Sequence, residues 1–292
     1  MFSAKVNEKS IGKNRPMRLL AVFLVPAVAL IIGAAAPEVL AKRQFDVAEI
    51  FFELNDTDGD LGIHALIDGE PWKELEIEAP NGREMLEIEV KGRLRRQGLT
   101  EIFFESAEPS FDDLNPVDFF NRFPEGTYTI EGETLRGREL KNRVELTHVM
   151  PAPAGGITLN DSDPIDLQEV DCDIERTIPV VITGEDEPVI ISWDPVEWSH
   201  PDPEGGGAGL QPPIEVTIVN YEVVVEVDVD LNGEEFTSKF SVILPPGETS
   251  VTIPAEFLAQ GDEFKYEILA REESYNQTAI ESCFVLEEAN GD

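Results

Sequence analysis

The chain has 292 residues, 22 basic against 59 acidic, with 41% hydrophobic residues, a net charge of −37 and two cysteines. A field of that sign repels nucleic acid and anionic membrane surfaces, whose ligands need basic patches. The apolar share is ample for a folded core, and the length allows two domains.

The beginning reads as a targeting segment. Lys5, Lys9, Lys13, Arg15 and Arg18 precede an apolar run over residues 19–36, and small residues follow near Ala41. This order matches a secretory signal peptide over residues 1–41. The competing reading is a retained anchor, since about 18 apolar residues can just span a bilayer. Pro26 within the run and the cleavage-like site favour removal, so the expected protein is secreted or periplasmic, without an integral membrane segment. Removal takes five basic and two acidic residues with it, leaving a net charge of about −40.

Residues 42–150 read as a β-sandwich-like domain. Ala48, Ile50, Phe52 and Leu54 alternate with polar or outward positions, and short alternating runs recur at 63–67, 75–77, 86–90, 102–104, 126–130 and 144–148. A period of two with Glu on the wet side is the pattern of antiparallel strands. One helix interrupts them: Asn115 suits the N-cap, Pro116 the first turn, and Phe119, Phe120 and Phe123 form an apolar side. Those rings are expected to plug one end of the sandwich.

The acidic loop at residues 55–62 is the strongest candidate for chemistry here. Asp56, Asp58 and Asp60 are spaced like alternate oxygen ligands of a hard cation, so calcium is the cofactor expectation, with Asp68 or Glu70 as extra ligands. The pattern resembles the opening of an EF-hand-type loop but departs from it: Gly62 falls one position late, and Ile67 stands where the bidentate Glu belongs. An Asp/Gly-rich hairpin turn explains the same residues. The cluster Lys91, Arg93, Arg95 and Arg96 is expected to pair with nearby carboxylates.

Residues 151–170 are rich in Pro and Gly and carry neither periodicity, which places a linker there. In residues 171–288, Tyr221, Val223, Val225, Val227 and Val229 share one face of a strand, with Glu222, Glu226, Asp228 and Asp230 opposite and Val224 the one apolar exception. Residues 178–183, residues 189–195 with Trp193, residues 218–226 with Tyr221, residues 236–244 after the Asn232-Gly233 turn, residues 249–254, residues 264–270 and residues 278–286 follow in the order of strands that resembles a fibronectin type III domain. Phe264 stands where that family usually has its corner tyrosine, and the loop at 199–209 is long. The resemblance covers about two fifths of the chain and implies an immunoglobulin-like sandwich used for spacing, presentation or binding.

Cys172 and Cys283 suggest one disulfide in an exported protein, with two free thiols the alternative. If Ile280 and Phe284 face the core, Cys283 faces outward, and the bridge would tie the entering segment to the last strand. Sequons occur at Asn160 and Asn276. No pair of His64, His148 and His200 has metal-enzyme spacing, and no nucleophile elbow or phosphate loop occurs.

The chain is therefore expected to be all-β: two β-sandwich domains in tandem, the second fibronectin type III/immunoglobulin-like and the first with one short helix. The expected role is a non-catalytic binding or structural protein with a protein or carbohydrate partner. The alternative is an accessory carbohydrate-binding protein stabilised by calcium. An exposed planar row of aromatics on one sheet would favour the carbohydrate reading.

Overall fold

A computed structural model describes residues 43–160, 162–165, 172, 178–182, 187–201 and 213–288. The expected signal segment lies outside the described residues. Residues 42–292 form one compact unit, built as an all-β sandwich fold around two hydrophobic clusters.

The N-terminal lobe begins with β1 (Val47–Asn55), β2 (Asp60–Glu78), β3 (Glu84–Glu89), α1 (Leu94–Gln97) and β4 (Leu99–Glu105). It continues with α2 (Pro116–Arg122), β5 (Gly126–Thr134) and β6 (Glu139–Leu146). The two runs expected as separate strands at 63–67 and 75–77 are one continuous strand. Its first half pairs with β1 and β4 and its second half with β3 and β5, with register irregularities between Asp68 and Trp72 and between Trp72 and Glu74. Gly69 and Pro71, which look like turn residues, sit where the strand bends from one layer to the other. Such a bend lets a single sheet fold over its own apolar face. Trp72, Phe52, Leu54, Ile67, Leu75 and Tyr128 fill the space between the layers. Tyr128 is fully buried and donates its hydroxyl hydrogen to the Pro124 carbonyl at 3.1 Å.

Helix α2 is capped as its sequence requires, Asn115 Oδ1 accepting from Asp118 N at 3.0 Å. Phe119 and Phe120 are buried and meet Phe52 edge-on at 5.7 and 5.3 Å, and His148 stacks on Phe120 at 4.4 Å. The aromatics are core. The lobe holds a second short helix, α1, that its sequence did not predict, because four residues are too few to show a period.

The C-terminal lobe contains β7 (Thr158–Leu159), β8 (Ile178–Ile182), β9 (Val189–Ser192), β10 (Ile218–Leu231), β11 (Glu234–Leu244), β12 (Ser250–Ile253), α3 (Ala255–Leu258), β13 (Glu263–Glu272) and β14 (Gln277–Glu288). One sheet runs β12-β9-β7 and the other β11-β10-β13-β14, with β8 added to β14 in parallel. Trp193 lies edge-on to Tyr221 at 5.4 Å, and Tyr221 Oη accepts from Val196 N at 2.9 Å. The inward row Tyr221, Val223, Val225 and Val227 is buried as its alternation demands.

Two differences from the sequence reading concern how this lobe begins. The strand next to β9 is β7, inside the Pro/Gly-rich stretch read as linker, and residues 178–182 instead flank β14. Ala154, Ile157 and Leu159 are buried in the C-terminal core, so the segment packs although its composition suggests a spacer. Gly156 has φ +62, and a Cβ there would lie 2.2 Å from an Asp194 oxygen, so glycine meets a local need.

Candidate functional site

The two lobes share one sheet. Strand β14 pairs with β13 along its length, while its outer side takes β1 in parallel at residues 277–279 and β8 in parallel at residues 284–288. The junction is latched by polar groups. Asn276, 0% exposed, accepts from Phe52 N at 2.8 Å and donates to the carbonyls of Val149 at 2.8 Å and Thr147 at 3.0 Å. Thr278 Oγ1 donates to Pro151 O at 2.7 Å, and Asp56 N donates to Ala279 O at 3.0 Å. Buried backbone groups need such partners, and Asn276 supplies three at once. Its sequon is consequently no place for a glycan, whereas Asn160 is exposed with φ +49.

The outer face of this shared sheet carries the most unusual chemistry. Across β10, β13 and β14 the register aligns Val224, Glu267 and Glu281, then Glu222, Leu269 and Ala279. Val224, Leu269 and Ala279 form a small buried cluster, which explains the lone apolar residue on the wet face of β10. Glu267 beside them pays for that company: burial pushes its pKa from 4.5 up to about 8, and the charges of Glu53, Glu281 and Glu222 add to the shift while Lys239 opposes it.

Farther along the face, His64 on β2 lies across from Phe51 on β1 and Glu105 on β4. The imidazole is 3% exposed, with Nε2 2.8 Å from Glu108 Oε1 and Nδ1 3.7 Å from Glu53 Oε2. One ligand atom from each of Glu53, His64 and Glu108 lies within 4.8 Å of the others, the one such His/Cys/Asp/Glu group among the described residues. Burial raises the pKa of Glu53 while His64 opposes, and burial with the charges of Glu108 and Asp58 raises Asp60 to about 6. Glu108 reaches this position over Gly62, where a Cβ would stand 2.1 Å from its Oε1. Below the cluster, Arg271 pairs with Glu49 at 2.7 Å and lies over the rings of Phe51 and Tyr275.

The residues expected to hold calcium are distributed differently. Asp56, Asp58 and Asp60 stand in or beside the β1–β2 turn, where Asn55 Oδ1 accepts from Thr57 N at 3.0 Å and Asp58 N at 3.2 Å and Gly59 has φ +65. Asp56 Oδ1 is 2.7 Å from His200 Nε2, Asp58 is exposed, and Asp60 opens β2. The three do not gather as a ligand set. Asp68 lies eight strand residues beyond Asp60, roughly 26 Å along β2, and Glu70 pairs with Arg43 and Arg138. Arg95 pairs with Glu74 at 2.9 Å and Lys91 with Glu89 at 3.0 Å, so the basic cluster does engage carboxylates.

Cys172 and Cys283 are joined, with Cα atoms 5.8 Å apart. Cys283 lies opposite Lys265 on the outer face while Phe284 enters the core, as the alternation of β14 requires. A cleft of about 470 Å³ over the bridge is lined by Glu226, Asp228, Asp262, Glu263 and Lys265 among others. His148 Nε2 is 2.8 Å from the Phe123 carbonyl, and His200 is committed to Asp56. Among the described residues no serine, threonine or cysteine nucleophile is hydrogen-bonded to a histidine.

No protein-family model and no curated protein matches this chain. Solved structures similar to it include part of a 1.5-MDa bacterial ice-binding adhesin, 11% identical with a TM-score of 0.22 over 85% of this chain and 67% of that one. Another is the FN1–FN3 segment of chicken CNTN1, 8% identical with a TM-score of 0.30 over 84% of this chain and 69% of that one. A third is a Ca2+-stabilised adhesin of an Antarctic bacterium, 12% identical with a TM-score of 0.22 over 84% of this chain and half of that one. Among the described residues no helix is long and apolar enough to cross a membrane.

Proposed function

We propose that this is an exported, non-catalytic structural or binding protein whose two sandwich lobes act as a single stiff unit, the second of them fibronectin type III-like. The observation that carries this reading is the shared strand β14. It fixes both lobes through main-chain hydrogen bonds, and Asn276 closes the junction with a further three. Domains joined by a bare linker move relative to one another, whereas a continuous sheet resists bending between its strands. The bridge from Cys172 to Cys283 supports an oxidising destination.

The surface supports a structural rather than a carbohydrate-binding role. On the N-terminal lobe, Phe103 is the exposed large aromatic, and it stands edge-on to His64 without a row of companions. Sugar platforms need several coplanar rings, and this face offers carboxylates instead.

Export is tested by N-terminal sequencing of protein recovered outside the cytoplasm, expected to begin near residue 42. Stiffness is tested by calorimetry of the full exported chain, which should unfold in one cooperative transition. Two well-separated transitions would count against the single-unit reading, and specific retention on a glycan array would favour the carbohydrate alternative.

A further inference from the structure

We propose that Glu53, His64 and Glu108 form a binding site for a divalent transition-metal ion, with zinc as the probe. The three residues come from β1, β2 and the segment after β4, so the fold assembles them. Zinc bonds imidazole nitrogen and carboxylate oxygen at about 2.0–2.2 Å in tetrahedral geometry, which places its ligand atoms about 3.4 Å apart. One ligand atom of each residue lies within 4.8 Å of the others, while Glu108 faces Nε2 at 2.8 Å and Glu53 faces Nδ1 at 3.7 Å, and a single ion takes only one of these two nitrogens. With the ion on Nε2 beside Glu108, the Glu53 carboxylate turns from Nδ1 toward the same side to complete the set. A fourth position is left for water.

Three further observations set this cluster apart from the acidic surface around it. Its donor set contains an imidazole, which suits zinc and its neighbours far better than calcium or magnesium. His64 is almost wholly enclosed, while the side chains of Glu53 and Glu108 are 21% and 25% exposed, so the nitrogen is held rigidly and solvent reaches the oxygens. Finally, position 62 is cut away. A glycine inside a strand, with an ordinary φ, weakens the sheet without easing any turn. The three atoms nearest a Cβ there all belong to Glu108, its carboxylate and Cγ atoms at 2.1, 2.7 and 2.9 Å. The missing side chain is therefore the space that Glu108 occupies to reach His64. No lysine or arginine among the described residues ion-pairs with Glu53 or Glu108, although Glu53 Oε2 also accepts a hydrogen bond from Gln277 Nε2, which an ion would have to share or displace.

The experiment is zinc titration of the full exported chain by calorimetry, with thermal shift as a second readout. The unaltered protein should bind one equivalent and melt higher with zinc. Glu108→Gln, on the half-exposed segment and no threat to folding, should weaken zinc by more than about tenfold. Gly62→Ala keeps all three ligands and should weaken it comparably by pushing Glu108 aside. His64→Gln should abolish the tight equivalent, and Asp58→Asn in the nearby turn should leave it unchanged. Zinc binding that is absent, or that survives both Glu108→Gln and Gly62→Ala unaltered, would overturn the assignment.

Discussion

Replacing Glu267 by glutamine should make the protein more stable at pH 8 and leave it nearly unchanged at pH 5. Glu267 is half-buried on β13, facing Val224 on β10 and Glu281 on β14, with Glu53, Glu222 and Lys239 as its other charged neighbours. Its folded pKa of about 8 lies above the ordinary 4.5. Between those values the folded protein keeps a proton that the unfolded chain has released. Stability therefore falls as pH rises through that window and levels off above about 8, where both states are ionised. At about 1.4 kcal/mol per pH unit the full penalty would be on the order of 5 kcal/mol. Water and side-chain relaxation around a half-buried carboxylate reduce this to about 2 kcal/mol. Glutamine keeps the shape and cannot ionise. Urea denaturation followed by tryptophan fluorescence at pH 5, 6.5 and 8 measures the difference, and subtraction removes the titration of acids such as Asp60 that do not neighbour Glu267. A difference that is the same at every pH, or a variant less stable at pH 8, would refute the reasoning.

Three further outcomes are expected. Asn276→Ala strands Phe52 N and the carbonyls of Thr147 and Val149 at the junction and should cost on the order of 3 kcal/mol in urea denaturation. Reduction of Cys172–Cys283, which closes a loop of 111 residues, should lower the melting temperature. The chain-entropy contribution is about 4 to 5 kcal/mol, and thiol titration of the native, unreduced protein should find none free. Calcium at Asp56, Asp58 and Asp60 is checked by calorimetry at millimolar calcium: a heat lost in Asp58→Asn supports a site in the turn, and no heat removes it.

Local patterns carried most of the strand assignments. The face of β10, the cap of α2 and the outward aim of Cys283 all follow from periods of 2 and 3.6 that neighbouring residues enforce. What stayed hidden depends on distant partners. Val224 looked like a flaw in an alternating strand until Leu269 and Ala279 covered it. His64 looked like an ordinary sheet residue because Glu108 lies 44 positions away. Gly62 was the available clue, an isolated glycine within an alternating run, which marks close approach by another group. The proline- and glycine-rich stretch before residue 160 misled for the opposite reason. Its composition suggests a spacer, while three apolar residues, Ala154, Ile157 and Leu159, were enough to bury it.

Placing β1 against β14 also sets a timetable for folding. Phe52 and Asn276 meet across 224 positions, so the N-terminal lobe has an open sheet edge until the far hairpin has been delivered. Pairing over such separations is slow, because loop closure must be achieved before any contact rewards it. During synthesis, which delivers N-terminal segments first, the early strands wait with that edge unpaired, and edges of this kind recruit other chains. Glu49, Glu53 and the rest of the acidic field along β1 then act before the native state exists: like charges on every copy keep waiting edges apart until residues 277–279 arrive.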